Sequence, residues 1–257
     1  MTKKENSKFE DSNVFEGMTS ISAVIKGFEN NITDRSIQKI LFDKSKIKAK
    51  SRELSFLKAK SYQLGFEIEI TESENIDKLT VGNTHGGIIA LCGNRSLYKL
   101  SSECVNQYGV YFILEGVEDP YNFGYSIRSL YAAGVDGIIV GERNWMGAAG
   151  IVARSSAGTS ELMNMFVADP LEAISIFKSK GYTVISAGIR DSVSLFDTSL
   201  SKPLLVILGG EKRGISRNVL DASDKIVRID YGNTFGGSLS TAAASAVFAF
   251  EILRYNK

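Results

Sequence analysis

Apolar residues in the second half of the chain occur in short continuous runs, each followed by an amphipathic segment or a glycine-bearing turn. The runs predict strands at 110–114, 137–140, 162–167, 182–187, 204–208 and 225–229. The amphipathic segments predict helices at 123–133, 171–180 and 239–254. A run that is apolar at every position, such as 204–208, is typical of a parallel strand buried on both faces. The pattern therefore predicts a parallel α/β domain over residues 107–257.

The first half of the chain has helical spacing in three places and two short strand-like segments. Helices are predicted at 21–28, 37–41 and 54–64, and strands at 66–70 and 87–91. Together these elements predict a small α/β domain over residues 19–95, preceded by a flexible polar tail over 1–18. Residues 96–106 are polar without a clear period and are interpreted as a linker. Glycine content changes there as well, with 7 glycines up to residue 106 and 17 after it.

Composition then excludes several classes of protein. The 257 residues include 30 basic and 29 acidic side chains, so a strongly basic RNA or membrane binder is excluded, although a local basic patch is not. Two cysteines exclude a disulfide framework. A single histidine, His85, excludes a zinc site built on two histidines, and we expect no metal. No apolar run reaches the roughly 18 residues of a membrane span and no signal sequence is recognised, so we expect a cytoplasmic protein.

Three loops of the second domain carry candidate chemistry. The first runs from Glu118 to Gly124, and Arg128 follows in the next helix. Asn122 could cap that helix, and Arg128 could reach back toward the helix start to hold a phosphate or a ribose oxygen. The alternative is an ordinary capped helix that carries one surface arginine.

The other two loops are rich in glycine and small residues. Residues 209–214 read Gly-Gly-Glu-Lys-Arg-Gly after an apolar strand, without the spacing of a Walker A loop or a dinucleotide fingerprint. Glycines at this density allow backbone groups to approach a flat ligand. Residues 236–246 lead into the last helix with Gly, Ser and Ala, which suits a ligand, a second chain or close helix packing.

In this order the loops resemble the signature motifs of the SpoU (TrmH) family of RNA ribose 2′-O-methyltransferases, in the SPOUT superfamily. The matching residues are Asn122, Gly124, Arg128 and Gly134 in the first motif, Gly209, Glu211 and Gly214 in the second, and Ser238 and Leu239 in the third. Residues 154–158 are similar to the family's R-A-S-A-G segment. Residues 20–92 resemble its small substrate-binding domain, with His85-Gly86-Gly87-Ile88 where relatives often have H-Q-G-I. His85 itself is interpreted as a turn or packing residue.

The resemblance implies a parallel sheet with a C-terminal trefoil knot, an S-adenosyl-L-methionine cofactor and a homodimer. The implied cofactor-binding residues are Gly209, Gly210, Gly214, Ile229, Leu239, Ser186 and Ala187. The implied catalytic residues are Arg128, Asn122, Glu211 and Ser238. Since a guanidinium stays protonated, we expect Arg128 to stabilise the developing alkoxide while Asn122 and Glu211 orient it. Phosphate or water would then be the base.

The third motif departs from the family pattern. Ser240 stands where relatives usually have asparagine, and residues 229–232 read Ile-Asp-Tyr-Gly where relatives have I-P-M. We expect methylation of structured RNA, ribosomal RNA ahead of transfer RNA. The departures leave open a catalytically weak RNA-binding homologue, and a small-molecule enzyme ranks third.

The most basic stretch of the sequence lies within residues 39–60. Its candidate RNA-binding side chains are Lys44, Lys46, Lys48, Lys50 and Arg52, to which the resemblance adds Arg154. On a helix, Lys44 and Lys48 would share one side and Lys46 and Lys50 another. Basic side chains of this kind bind phosphates, and the alternative is a solvated helix face.

Overall fold

A computed structural model describes residues 13–80, 85–141 and 148–257. The described residues form two compact units. The N-terminal unit contains residues 13–96 together with 148–162, and the C-terminal unit contains 97–141 together with 163–257. Each unit has its own sheet.

The N-terminal unit is built on a four-stranded sheet in the order β1-β4-β2-β3. Its strands are β1 (Val14–Glu16), β2 (Ile37–Asp43), β3 (Glu67–Thr71) and β4 (Ile88–Cys92). Its helices are α1 (Gly17–Glu29), α2 (Ser51–Leu64), α3 (Ser73–Asp77) and α5 (Ala149–Ser155). Only β2 and β3 pair in parallel; β4 is antiparallel to both β1 and β2. The central strands β4 and β2 therefore supply most of the buried apolar residues of the sheet.

Two predictions for this region are wrong. Residues 37–41 are a strand rather than a helix. Three apolar residues spaced by three and one fit both the helical and the strand period. The strand forms because β2 pairs with β3 on one side and with β4 on the other. The predicted tail does not extend to residue 18, because β1 pairs with β4 and α1 begins at Gly17. Residues 1–12 lie outside the described residues.

Residues 148–162 belong to the N-terminal unit, although the sequence pattern assigned them to the second domain. Ala149 and Ala153 of α5 pack into its core beside strand residues such as Phe42. Gly158 approaches α1 so closely that an added β-carbon would lie 2.6 Å from that of Ala23. The chain thus enters the C-terminal unit, returns to the N-terminal unit for one segment and then enters the C-terminal unit again. A single linker between two continuous domains does not account for this path.

The C-terminal unit is an eight-stranded sheet in the order β10-β12-β9-β11-β6-β7-β8-β5, and every pair is parallel. Its strands are β5 (Tyr98–Lys99), β6 (Val110–Glu115), β7 (Gly137–Val140), β8 (Met165–Val167), β9 (Thr183–Ala187), β10 (Val193–Ser194), β11 (Leu204–Gly209) and β12 (Lys225–Arg228). Its helices are α4 (Pro120–Ala132), α6 (Pro170–Ser179), α7 (Arg217–Ala222) and α8 (Thr241–Tyr255). The predicted parallel sheet is confirmed.

The predicted linker is wrong in the part nearest the sheet. Tyr98 and Lys99 pair with β8 as an edge strand, and a short 3-10 helix follows at Ser102–Cys104. An edge strand of two residues is too short to have a periodic signal, so the pattern alone could not reveal it. The neighbouring strands β6 and β11 lie at the centre of the sheet, and their carboxyl ends bring the loops that follow them together.

Candidate functional site

The site begins where β6 and β11 end side by side. Gly209 is in register with Glu115, and the N–H of Gly210 donates to the carbonyl of Glu115 at 2.7 Å. A β-carbon at Gly210 would collide with the carbonyl of Gly116. The two loops therefore pack backbone against backbone, and glycine is needed at 210 for that approach.

The loop after β11 also folds back on itself. The N–H of Gly214 donates to the carbonyl of Gly210 at 3.0 Å, and Gly214 has a φ of 63°. A β-carbon at Gly209 would lie 2.7 Å from the backbone nitrogen of Ile215. The turn and the close packing of its backbone are thus sufficient to require the glycines at 209, 210 and 214. From the sequence alone, the same glycines indicate the approach of a ligand.

Glu211 joins the starts of two helices. Its Oε1 accepts from Asn122 Nδ2 at 2.9 Å and from the backbone N–H of Thr241 at 3.3 Å. Asn122 lies in the first turn of α4 and Thr241 is the first residue of α8. The three segments that carry the sequence motifs are therefore connected through one carboxylate.

Asn122 is not the cap of α4, contrary to the prediction from the sequence. The cap is Asp119, whose Oδ1 accepts from the N–H of Asn122 at 2.8 Å, with Pro120 at the first helical position. The side-chain amide of Asn122 is consequently free to donate to Glu211.

The start of α8 explains the serine at position 240. Ser240 is the N-cap, and its Oγ accepts from the N–H of Ala243 at 3.2 Å. Serine and asparagine are equally good N-caps, so this departure from the family pattern keeps the helix start. The buried Thr241 donates its hydroxyl to the carbonyl of Gly209 at 2.9 Å. Thr241 was not among the predicted site residues, because a threonine after a serine cap forms no recognisable pattern.

Arg128 lies on the exposed side of α4, nearly two turns beyond Asn122. In the described part of the chain it makes no ion pair, and Asn122 and Glu211 bond to each other instead of orienting it. Arg128 is therefore available to an external anion. Ser238 is also exposed, three residues before α8 begins.

The loop after β12 contributes a tyrosine anchor. The hydroxyl of Tyr231 accepts from the N–H of Leu239 at 3.2 Å, and its ring meets that of Phe235 with centroids 5.6 Å apart. Asp230 bonds the Arg228 guanidinium at 2.7 Å. The Ser194 hydroxyl and that guanidinium hold the pKa of Asp230 below its ordinary value. The negative charge that Asp230 adds to this loop is thus balanced within the unit.

The other implied cofactor residues lie at strand ends. Ile229 directly follows β12, and Ser186 and Ala187 end β9. Ser186 is fully buried and its hydroxyl is 2.7 Å from that of Ser223. The cofactor role of these three residues stays a prediction.

The basic stretch is not one helix, and the expected pairing of its sides is wrong. A 3-10 helix spans Lys44–Lys46, a turn follows, and α2 begins only at Ser51. Lys44 is paired with Glu72 at 3.1 Å, and Lys50 is half-buried beside Gly86. Of the candidate RNA-binding cations, Lys46, Lys48 and Arg52 are exposed and form no ion pair with any residue in the described ranges. Arg154 pairs with Glu16 at 3.2 Å inside the N-terminal unit.

Two buried residues with reactive side chains, His85 and Cys92, have structural surroundings. His85 is buried, its Nδ1 accepts from the N–H of Gly87 at 3.0 Å, and its Nε2 lies 3.1 Å from Asp77 Oδ1. The prediction that His85 is a turn or packing residue is confirmed. Burial raises the pKa of the Cys92 thiol to about 12, so Cys92 is not a nucleophile at neutral pH. Within residues 13–80, 85–141 and 148–257, no cluster of His, Cys, Asp and Glu could hold a metal ion, and no helix is long and apolar enough to cross a membrane.

Comparison with known proteins places this arrangement in a family. The profile of the SpoU rRNA methylase family matches residues 109–250, more than half of the chain. The chain belongs to the SpoU rRNA methylase family. The match covers the first, second and third motifs and therefore the Asn122–Glu211–Thr241 network.

Individual SpoU relatives cover both units. The chain is 27% identical over 200 residues to the 23S rRNA (guanosine-2'-O-)-methyltransferase RlmB of Shewanella oneidensis, which covers 75% of this chain and 80% of that protein. It is 24% identical over 242 residues to RlmB of a Burkholderia species, covering 93% and 94%. Both alignments are longer than the family match and extend into the N-terminal unit.

Solved structures have the same fold. The AdoMet-bound rRNA methyltransferase from Sinorhizobium meliloti has a TM-score of 0.74 at 20% identity, covering 99% of this chain and 91% of that one. The SpoU methyltransferase AviRb from Streptomyces viridochromogenes, in complex with AdoMet, has a TM-score of 0.74 at 17% identity, covering 99% and 93%. Because the sequence identities are this low, the two structures show that the fold is shared and nothing more.

Proposed function

We propose that the protein transfers a methyl group from S-adenosyl-L-methionine to a ribose 2′-hydroxyl of ribosomal RNA. The observation that carries the proposal is the carboxylate of Glu211, which bonds Asn122 and the N–H of Thr241 and so joins the three SpoU motif segments. The network lies at the carboxyl ends of the parallel strands, which is where α/β sheets of this kind bind ligands.

The backbone at this edge fits the cofactor. No atom of the described residues lies within 4 Å of a β-carbon placed at Gly214, Gly232 or Gly236, so a ligand can approach the backbone there closely. The residues that would hold the cofactor are Gly209, Gly210, Gly214, Ile229 and Leu239, mainly through their backbone, with the backbone of Ser186 and Ala187 beside them. When bound, S-adenosyl-L-methionine supplies a methyl group on a positively charged sulfur.

The protein's own contribution is orientation and charge. Arg128 is exposed and carries a permanent positive charge, so it can bind the RNA phosphate and stabilise the alkoxide that develops at the ribose oxygen. Asn122 and Glu211 fix the loops around it, and Thr241 fixes the carbonyl of Gly209. Ser238, which is exposed beside Leu239, would hydrogen-bond the ribose. The hydroxyl proton passes to phosphate or water.

Ribosomal RNA is the proposed substrate class because the RlmB relatives that span both units carry 23S rRNA in their names. The N-terminal unit would supply phosphate contacts through Lys46, Lys48 and Arg52. A catalytically weak RNA-binding homologue has no supporting observation, since Ser240 keeps the helix cap that asparagine would make. A ribosomal substrate implies a cytoplasmic protein.

A homodimer and a trefoil knot complete the proposal. Helices α4 and α8 expose a run of aromatic side chains that a second copy would cover. These are Tyr121, Tyr125, Tyr131 and Phe250. The knot would involve the chain between β11 and α8, where Thr241 returns to Gly209. Sedimentation at micromolar concentration should show a species of twice the 28.0 kDa chain mass, and Phe250→Glu should reduce it to a single chain.

Methyl transfer to defined RNA tests the function directly. Purified protein with methyl-labelled S-adenosyl-L-methionine should label an unmodified 23S rRNA transcript at a single ribose, with release of S-adenosylhomocysteine. Cofactor binding measured by calorimetry without any labelling of ribosomal or transfer RNA would favour the RNA-binding homologue. Labelling of transfer RNA alone would overturn the substrate class and keep the reaction.

A further inference from the structure

The loop after β12 exposes an aromatic pair that the proposed reaction does not use. Phe235 is 56% exposed and Tyr231 is 37% exposed. Single exposed apolar side chains are common in folded proteins, so the contact between the two exposed rings is the informative feature. Their rings meet at 63° with centroids 5.6 Å apart, an edge-to-face contact. The pair lies between β12 and α8, a few residues from Ser238 and Leu239.

Contacts within the loop orient both rings. Tyr231 is anchored by its hydroxyl, which accepts from the N–H of Leu239 at 3.2 Å. Phe235 is seated over Gly237, where an added β-carbon would lie 2.8 Å from the Cζ of the phenylalanine ring. An exposed ring with a fixed orientation loses little entropy when a flat ligand stacks on it.

The surroundings favour a nucleobase over an apolar protein surface. Two acidic groups of the adjoining loops are paired with cations, Glu118 with Lys212 at 2.6 Å and Asp230 with Arg228 at 2.7 Å, whereas Glu211 bonds neutral partners. In contrast, Arg128 and Arg213 are exposed and form no ion pair with any described residue. Fixed aromatic rings together with unpaired arginines are the combination that binds unstacked bases and their phosphates.

We propose that the Tyr231–Phe235 pair is a stacking surface for an unpaired base of the RNA substrate, next to the ribose that is methylated. The inference rests on the proposed function, because it takes RNA as the substrate. It adds that the target lies in a loop or bulge, since a base within a duplex is not free to stack on a side chain.

Binding of an unmodified 23S rRNA transcript tests the stacking. Phe235→Ala should weaken RNA affinity by roughly 5- to 150-fold, the range that loss of one base–aromatic stack produces. Cofactor affinity measured by calorimetry should stay the same. The slope of log affinity against log salt should also stay the same, because every phosphate-binding side chain is kept. Phe196→Ala is the matched control, since Phe196 is 54% exposed in the same unit but outside this loop.

A fluorescent variant separates this inference from the proposed function. In Phe235→Trp, addition of the same transcript should quench the new tryptophan, with the wild-type signal of Trp145 subtracted. Quenching without methyl transfer by the wild type would retain the stacking surface and reject the reaction. Methyl transfer with equal responses in Phe235→Trp and Phe196→Trp would overturn the stacking surface. So would a loss of cofactor affinity or of self-association in Phe235→Ala, which would assign the pair to the cofactor or to a second copy of the chain.

Discussion

Two glutamates, one in each unit, show how the same side chain serves different purposes in a buried and an exposed setting. In the N-terminal unit, Glu161 Oε2 lies 3.1 Å from Arg35 Nε, and the two side chains are 4% and 2% exposed. In the C-terminal unit, Glu211 is exposed and bonds the neutral amide of Asn122 and a backbone N–H. A buried charge must be fully paired, whereas an exposed one can stay charged with neutral partners.

The surroundings of the two glutamates reinforce the difference. Arg35 also donates to the carbonyl of Gly93 at 2.7 Å and to Asn13 Oδ1 at 3.2 Å, and it lies 4.9 Å from the centroid of the Phe15 ring. The Arg35 guanidinium is therefore engaged by contacts within the N-terminal unit. Of the Glu211 carboxylate, only Oε1 is engaged by residues in the described part of the chain. The first glutamate therefore stabilises its unit, and the second retains capacity for a ligand.

The largest expected effect is on stability. Glu161→Gln leaves the Arg35 charge buried without its counter-ion and should lower the free energy of unfolding by about 3–5 kcal/mol. Urea unfolding followed by circular dichroism measures the change. The matched control is Glu118→Gln, whose partner Lys212 is exposed, and its cost should be about 0–1 kcal/mol. Equal destabilisation of the two variants would contradict the buried pair as a stabilising contact.

Arg128→Ala should lower the rate of methyl transfer by on the order of 10² or more, because it removes charge that stabilises the developing alkoxide. Cofactor affinity by calorimetry should remain nearly unchanged. Arg217→Ala is the control, since Arg217 is exposed but paired with Asp221 on α7. If Arg128→Ala abolished cofactor binding while stability was unchanged, Arg128 would belong to the cofactor site.

Gly209→Ala should weaken cofactor binding by about tenfold or more, because displacement of a ligand-positioning loop has effects of this size. The added β-carbon would lie too close to Ile215 N for the turn to keep its present form. In Gly141→Ala, no atom of the described residues lies within 4 Å of the new β-carbon, and this variant should bind the cofactor normally. Calorimetric titration with S-adenosyl-L-methionine compares the two, and normal binding by Gly209→Ala would show that the turn tolerates the shift.

Thr241→Val has a smaller expected effect. It keeps the shape and the backbone N–H that bonds Glu211, and it removes only the hydroxyl that bonds the carbonyl of Gly209. Removal of one hydrogen bond corresponds to roughly a 2- to 10-fold change, which we expect in cofactor affinity. Thr241→Ser should restore it. A fall in thermal stability with unchanged cofactor affinity would make Thr241 a purely structural residue.

The smallest effect concerns salt dependence in the N-terminal unit. Replacing Lys46 and Lys48 together with glutamine should lower the salt slope of RNA affinity by roughly 0.7 for each phosphate of a single strand that these lysines neutralise. The methylated nucleotide should not change, because phosphate contacts position the RNA without reading its sequence. Lys39→Gln is the control, since Lys39 is already paired with Glu67 and Glu69. An unchanged slope would move the docking surface to the C-terminal unit.

Sequence patterns predicted the C-terminal unit far better than the N-terminal one. Continuous apolar runs such as Leu204–Gly209 are typical of buried parallel strands, so six of the eight strands of this sheet could be predicted. Short mixed segments such as Ile37–Asp43 fit two periods, and only pairing with β3 and β4 selects the strand. The two-residue strand β5 and the return of residues 148–162 to the N-terminal unit depend on partners distant in sequence.

The candidate site likewise has features that the sequence predicted and features that only the folded structure shows. Residue type and spacing were enough to select Asn122, Arg128 and Glu211 as candidate site residues, because both are local properties of the chain. Contacts in the folded protein were needed to establish that Asp119 caps α4, that Thr241 completes the network, and that Arg128 faces outward rather than toward Glu211. The hydrogen bonds of the network join residues 30 to 89 positions apart. They arise when parallel strands bring their carboxyl ends to one edge, so no local pattern in the sequence records them.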